Sequence, residues 1–160
     1  MGNIFSGSEI VEMAVQIEKN GRDFYKSVAE FSKDRNSKEV FEHLAGQEER
    51  HIKVFEDILS AVKKYEPAEA YTDEYFSYIK ALSDDHVFTK NKKGKEIAAA
   101  VKDEKEAVDM SIGFEKDSIL FYYEMMNFVP EAEHDMINNL LKEEQKHLRK
   151  LVLLKRRCYA

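Results

Sequence analysis

The second half of the chain repeats the first, and this repeat constrains the fold more than any other feature. Residues 11–25 (VEMAVQIEKNGRDFY) align without a gap with residues 108–122 (VDMSIGFEKDSILFY), and residues 44–51 (LAGQEERH) align with residues 140–147 (LLKEEQKH). The matches include Val, Met, Glu-Lys and Phe-Tyr in the first alignment, and Leu, Glu and His in the second. We therefore predict two equivalent halves related by approximate two-fold symmetry.

Apolar residues recur at helical spacing in four long segments of the chain. Helix one is expected at about 8–32, helix two from a cap at Ser37 to before Pro67, helix three in two pieces that meet near Asp103, and helix four from Pro130 onward. No segment shows the apolar-polar alternation of a β-strand over a useful length.

The links between the helices predict how they pack. Helices one and two, and helices three and four, are joined by short links, whereas a crossover at about 66–94 separates the halves and carries a short helix after Thr72. Short links place consecutive helices side by side and antiparallel. The predicted fold class is all-α: an up-down four-helix bundle with one long crossover, in a single domain over residues 1–160.

Composition excludes several classes of protein. The single cysteine, Cys158, allows neither an intrachain disulfide framework nor a four-cysteine metal site, so a reducing, cytoplasmic setting is expected. The chain has no apolar run long enough to span a membrane, and its start lacks the features of a secretory signal. A net charge of -6 disfavours nucleic-acid binding, and the short basic cluster at 90–95 (KNKKGK) is expected to be a solvated loop.

Six ionisable residues occupy the apolar stripes of the predicted helices: Glu18, Glu48, His51, Glu115, Glu144 and His147. Each half supplies one lone glutamate and one Glu-x-x-His pair, whose members at i and i+3 share a helix face. Four buried carboxylates cost on the order of several kcal/mol each unless they are protonated or met by positive charge. Two divalent cations would balance the four glutamates, with two neutral imidazoles as further ligands, so we predict a paired-metal site.

This layout resembles that of the di-iron carboxylate proteins of the ferritin-like superfamily, and it is most similar to the ferritin-like domain of rubrerythrins, over roughly residues 8–157. The resemblance implies two iron ions per chain, although manganese or zinc binds such ligands too. The implied roles are terminal or semi-bridging ligands for Glu18 and Glu115, bridging ligands for Glu48 and Glu144, and one iron each for His51 and His147.

Two features depart from the rubrerythrin pattern. Rubrerythrins usually carry a cysteine-ligated rubredoxin-type domain, which a single cysteine cannot build, so a separate electron-donor protein such as a rubredoxin is implied. Rubrerythrins also tend to have a further glutamate one turn along helix three, where this chain has Ser118. The redox-linked ligand exchange attributed to that carboxylate is therefore not carried over.

Several other polar residues lie near the six ionisable residues or share their residue types. Tyr25 and Tyr122 match in the repeat. They either donate hydrogen bonds to the metal ligands, act as redox-protective phenols, or are core tyrosines with satisfied hydroxyls. Glu49 and Glu143 lie about 100° around the helix from the neighbouring ligands and are predicted to be solvated. No part in the site is expected for the unmatched histidines and the cysteine: His43, His86, His134 and Cys158.

Three functions are compatible with a paired-metal site. The first is a di-iron oxidoreductase, which by resemblance to rubrerythrins reduces hydrogen peroxide, with dioxygen as the alternative oxidant. The second is a ferroxidase or iron-handling protein, which predicts a large hollow oligomer. The third is a structural bundle whose metal only neutralises the core. We rank them in this order and expect a homodimer, with the crossover packed either on a partner or on the chain's own bundle.

Overall fold

The computed structural model describes residues 7–64, 73–85 and 93–159, and these residues form α-helices and no strand. The helices are α1 (Gly7–Phe31), α2 (Arg35–Lys64), α3 (Asp73–Asp85), α4 (Gly94–Ala99), α5 (Glu104–Met125) and α6 (His134–Tyr159). Two 3₁₀ turns, Met126–Phe128 and Glu131–Glu133, join α5 to α6. The predicted all-α class is confirmed. No helix in the described ranges is long and apolar enough to cross a membrane.

The four long helices enclose one core. α1 packs along α2, and α5 packs along α6, because short links let consecutive helices lie side by side. α1 also contacts α5, and α2 contacts α6, which closes the bundle. Five phenylalanines are almost completely buried in it, and each contributes about 1.5–3 kcal/mol relative to exposure: Phe24, Phe41, Phe55, Phe114 and Phe121.

α2 begins earlier than predicted because its cap is Asp34 and not Ser37. The Asp34 carboxylate accepts a hydrogen bond from the Ser37 backbone N–H at 2.8 Å, which is the geometry of an N-cap aspartate. Ser37 itself is buried, with its hydroxyl 3.1 Å from that of Tyr159. The Tyr159 hydroxyl donates to Glu104 at 3.0 Å, so this contact ties the end of α6 to the starts of α2 and α5.

The predicted break in helix three lies where the sequence placed it, at Asp103. The six-residue helix α4 ends at Ala99, and α5 begins at Glu104. Asp103 caps α5 by accepting from the Glu106 backbone N–H at 2.8 Å, while the Glu106 side chain accepts from the Lys102 N–H at 2.7 Å. This reciprocal pair resembles a capping box and fixes the direction in which α5 enters the bundle.

The described part of the crossover, α3, packs on the chain's own bundle. Tyr75 stacks on Phe128 with ring centroids 5.5 Å apart, and its hydroxyl donates to Glu124 at 2.9 Å. Ile79 is buried, whereas Tyr78 is 41% exposed. The remaining predictions for residues 65–72 and 86–92 lie outside the described residues.

We expect a side chain at Gly94 to destabilise the fold, because α4 approaches α1 closely there. A Cβ at Gly94 would lie 1.8 Å from the carbonyl oxygen of Asn20 and 2.8 Å from the amide nitrogen of Phe24. Neither backbone atom can move unless α1 moves, so Gly94→Ala should lower the free energy of unfolding by about 1–3 kcal/mol or more. Urea denaturation at equal metal loading measures this change.

Gly46→Ala is the matched control for this substitution. Gly46 is also helical, and a Cβ there would meet nothing within 4 Å. The control should raise the free energy of unfolding by about 0.5–1 kcal/mol, because alanine loses less backbone entropy than glycine in a helix. An equal loss of stability in both variants would contradict the close approach of α4 to α1.

Candidate metal centre

All four long helices contribute to one polar cluster in the core. The six residues predicted from the sequence are distributed as Glu18 on α1, Glu48 and His51 on α2, Glu115 on α5, and Glu144 and His147 on α6. None of them is more than 4% exposed. The structure thus brings the matched polar residues of the repeat into one shared cluster and not into two separate ones.

The cluster consists of two overlapping groups, each compact enough to surround one ion. In each group, the candidate ligand atoms lie within 4.8 Å of one another. One group is Glu18, Glu48, His51 and Glu144, and the other is Glu48, Glu115, Glu144 and His147. Because Glu48 and Glu144 belong to both groups, these two carboxylates are placed to bridge a pair of ions.

Both imidazoles direct Nδ1 toward the carboxylates. Nδ1 of His51 lies 2.7 Å from one oxygen of Glu144, and Nδ1 of His147 lies 3.3 Å from the other oxygen. The two imidazole rings are stacked, with centroids 5.3 Å apart and an interplanar angle of 17°. One carboxylate therefore faces both imidazoles, one through each oxygen, as expected of a bridging ligand between two metal ions.

Several buried atoms of the cluster have no hydrogen-bond partner. They are at least one carboxylate oxygen of each of the four glutamates, and Nδ1 of both histidines. A buried polar atom without a partner costs about 1–3 kcal/mol, and a charged one costs more. Among the described residues, the four glutamates form ion pairs only with the two histidines. Two divalent cations fit this set of oxygen and nitrogen donors and would satisfy the same atoms.

Burial and mutual repulsion change the ionisation of the carboxylates in the protein alone. Burial raises the pKa of Glu48 well above its ordinary value, and the nearby charges of Glu18 and Glu144 raise it further. The pKa of Glu115 is raised well above its ordinary value by burial and by Glu144. These glutamates therefore retain protons that a bound cation would displace.

The surroundings of the two imidazoles raise their pKa values and so favour their charged form. Burial disfavours their charged form, but the Glu144 carboxylate outweighs it and raises the pKa of His51 well above its ordinary value. Burial also opposes the charge on His147, yet the nearby carboxylates of Glu115 and Glu144 raise its pKa to about 9. The charges on the imidazoles in turn overcome the effect of burial on Glu144 and lower the pKa of this carboxyl well below its usual range.

Each tyrosine matched in the repeat donates to the lone glutamate of the opposite half. Tyr25 on α1 donates to Glu115 on α5 at 2.5 Å, and Tyr122 on α5 donates to Glu18 on α1. Burial, together with the neighbouring carboxylates, raises the pKa of both phenols well above the ordinary value. Both tyrosines are fully buried, so they are core residues whose hydroxyls orient the two lone glutamates.

The prediction that Glu143 is solvated was wrong. Its Oε2 lies 2.8 Å from Nε2 of His51, and its Oε1 lies 3.6 Å from Arg50. An imidazole that donates its Nε2 proton to a carboxylate presents the Nδ1 lone pair to a metal ion. Glu143 therefore orients His51. The repeat did not reveal this residue because its matched position in the first half is Gln47.

Other residues singled out in the sequence lie outside the cluster. Glu49 forms an ion pair with Arg22 at 2.9 Å and is partly exposed. His43 is exposed on α2, the ring of His134 bonds a backbone carbonyl at 3.1 Å, and Cys158 is half-buried near the end of α6. His86 lies outside the described residues.

Comparison with known proteins agrees with this fold and cluster. The family model described as Rubrerythrin matches residues 9–155. The crystal structure of a Thermotoga maritima protein, provisionally described as a ferritin-like diiron-carboxylate protein, is similar with a TM-score of 0.69 and 26% sequence identity. The similarity covers 96% of each chain. No curated protein matches the chain.

The metal-free protein should lose stability as the pH rises from neutral to alkaline. The pKa of His147 is raised from 6.5 to about 9, so its stabilising charge is complete below pH 6.5 and is lost as the pH approaches 9. His51, whose pKa is also raised, acts in the same direction. We expect a loss on the order of 2 kcal/mol across this window, measured by urea denaturation of chelator-treated protein.

Zinc-loaded protein provides the control for this pH dependence. Bound zinc replaces the Nδ1 protons, so the imidazoles are neutral ligands at both ends of the window. The free energy of unfolding of the zinc-loaded protein should change much less over the same pH range. An equal pH dependence with and without zinc would contradict the assignment of the imidazoles to the metal centre.

Proposed function

The chain belongs to the rubrerythrin family. We propose that it is a di-iron carboxylate oxidoreductase that reduces hydrogen peroxide to water. Each turnover takes one hydrogen peroxide, two protons and two electrons and releases two waters. The electrons return from a separate redox protein such as a rubredoxin. We place the protein in the cytoplasm as a homodimer, with two iron ions per chain.

The observation that carries this proposal is the sharing of Glu48 and Glu144 by both groups of candidate ligands. A shared carboxylate from each half would hold two ions in one site, where one small oxidant would have access to both. A bound pair of ferrous ions supplies the two electrons, one from each ion. Separate sites without bridging residues would not favour a two-electron reaction in this way.

The residues of the chain have distinct roles in this proposal. Glu18 and His51 would complete the set of ligands for one ion, and Glu115 and His147 would complete the set for the other. The Tyr25 hydroxyl fixes the orientation of Glu115, and the Tyr122 hydroxyl fixes that of Glu18, by donating one hydrogen bond each. These four glutamates and two histidines are therefore the proposed metal ligands, and the tyrosines are positioning residues.

Aromatic side chains keep water away from this site. Phe114 packs edge-on against Tyr25 with ring centroids 5.9 Å apart, and Phe55 packs against Tyr122 at 4.8 Å. The hydroxyl of each tyrosine reaches the cluster, while its ring remains in the apolar core. Exclusion of bulk water strengthens the electrostatic interactions of the cluster and limits side reactions.

The test is an anaerobic single-turnover experiment. The purified chain is loaded with two equivalents of ferrous iron and mixed rapidly with hydrogen peroxide or with dioxygen, and ferric absorbance is followed. We expect oxidation by peroxide to be faster than oxidation by dioxygen, with no further iron uptake. Glu48→Gln should slow the peroxide reaction at least about 100-fold because it removes a proposed bridging carboxylate.

Glu49→Gln is the control, because it changes the adjacent carboxylate outside the cluster and should leave the rate within about two-fold. Faster reaction with dioxygen, continued iron uptake and a large hollow assembly in light scattering would favour iron handling instead. Ferrous protein that reacts with neither oxidant would overturn the proposal and favour a structural metal. A dimeric mass would agree with a soluble two-chain peroxidase and oppose a storage cage.

A further inference from the structure

A basic groove lies between α2 and α6, on the outer side of the candidate metal centre. Its volume is about 950 Å³, and its lining includes Arg50, Lys146, Arg149, Lys150, Arg156 and Arg157. Glu143 is the only acidic residue among the lining residues. The whole chain carries a net charge of -6, so the basic groove concentrates positive charge on an otherwise acidic protein.

The positive charge of the basic groove is largely unneutralised. Six Lys and Arg residues line the groove. Among the described residues, only Arg50 of these six has a carboxylate within 4.0 Å, and that carboxylate is Glu143. Glu143 is shared with His51. Another lining residue, His43, has a lowered pKa, first because of desolvation and then because of the positive charges of Lys150, His147 and Arg50. An anionic partner would therefore find cations that no carboxylate of the described residues pairs.

The basic groove also has an apolar part. Leu153 is 57% exposed and lies with Val40 and Leu154 among the lining residues. An exposed leucine within a rim of charged residues resembles the anatomy of protein interfaces, where an apolar centre is surrounded by a polar rim. A purely electrostatic site for a small ion would not need this apolar surface. The combination therefore fits a protein better than an isolated anion.

The basic groove lies close to both imidazoles of the candidate metal centre, although only one of them lines it. His147 is itself a lining residue, and its Nδ1 lies 3.3 Å from Glu144. His51 does not line the groove, but its Nε2 lies 2.8 Å from the carboxylate of Glu143, which does. One imidazole ring, or one ring and one carboxylate, thus separates the groove from the ligand atoms that would hold metal.

A second groove, between α1 and α2, differs from the basic groove in its charge balance and in its lack of contact with the candidate metal centre. Its charged lining residues are Arg22, Lys26 and Lys38 together with Glu30, Glu42 and Glu49, so its charges balance. None of the six candidate ligands lines it. We call this second groove the mixed groove and use it for comparison. Of the two grooves, only the basic groove combines an excess of positive charge with a lining residue from the candidate metal centre.

We propose that the basic groove is the docking site for an acidic electron-donor protein, an inference that rests on the proposed peroxidase function. The donor's negative surface pairs with Lys146, Lys150 and their neighbours, and its apolar contact covers Leu153. Two one-electron donor molecules would be oxidised in each cycle, and their two electrons would reduce a bound pair of ferric ions from the side of the bundle where His147 lines the groove. Transient redox complexes of this kind are small and depend on complementary charge.

The test measures binding separately from activity. Oxidised rubredoxin of net negative charge is the probe, and its affinity for zinc-loaded protein, which is redox-silent, is measured by calorimetry at low and high salt. We expect the double substitution Lys146→Glu and Lys150→Glu to weaken binding by about ten-fold or more at low salt. High salt should weaken binding to the unsubstituted protein as well.

The matched control is Lys26→Glu with Lys38→Glu in the mixed groove, which changes the net charge by the same amount. It should weaken rubredoxin binding less than about three-fold, because long-range charge alone is screened. Circular dichroism checks that both double variants are folded. Equal weakening by the two pairs, or no weakening by either, would overturn docking at the basic groove.

A further comparison separates failure of docking from failure of the proposed function. Single-turnover oxidation of the pre-reduced, unsubstituted chain by peroxide needs no donor, so its absence would overturn the function itself. If single-turnover oxidation is rapid but the groove substitutions do not change the affinity for the donor, only the docking site is overturned. If Lys146→Glu with Lys150→Glu weakened binding of a single-stranded oligonucleotide and not of rubredoxin, the donor assignment would also be wrong.

Discussion

Four carboxylates enclosed by apolar side chains are the constraint on which the rest of this structure depends. The protein pairs them with two imidazoles and no lysine or arginine within the described residues, so the charges do not balance without protons or cations. Protonation is one solution, and the raised pKa values of Glu48 and His51 describe it. Two divalent cations are the other solution, and they also satisfy the oxygen and nitrogen atoms that have no hydrogen-bond partner.

The two halves of the chain are mutually dependent because neither completes the centre alone. Glu48 from the first half and Glu144 from the second are shared by both groups of ligands. The tyrosines cross between the halves as well, since Tyr25 donates to Glu115 and Tyr122 donates to Glu18. The sequence repeat therefore produces a single centre with approximate symmetry. Its symmetry ends at the outer side, where His51 contacts Glu143 but the position matching Glu143 in the first half is Gln47.

The sequence predicted the architecture and the cluster because both depend on periodicity. Apolar spacing located the four long helices, and the repeat identified which polar residues share their inward faces. The start of α2 was less predictable, since Asp34 and Ser37 are both good capping residues and the choice depends on their local geometry. Glu143 was missed for a different reason: its side chain reaches His51 from outside the inward stripe, and such a contact leaves no periodic signal. The basic groove likewise combines residues from α2 and α6 that are distant in sequence.

The most direct test of the central claim is anomalous diffraction from crystals of the iron-loaded protein, recorded at the iron absorption edge. The account predicts two anomalous peaks inside the cluster, about 3.5–4 Å apart, with Glu48 and Glu144 between them and one imidazole on each. A single peak, no peak, or peaks confined to surface carboxylates would contradict the assignment of this core to a pair of metal ions.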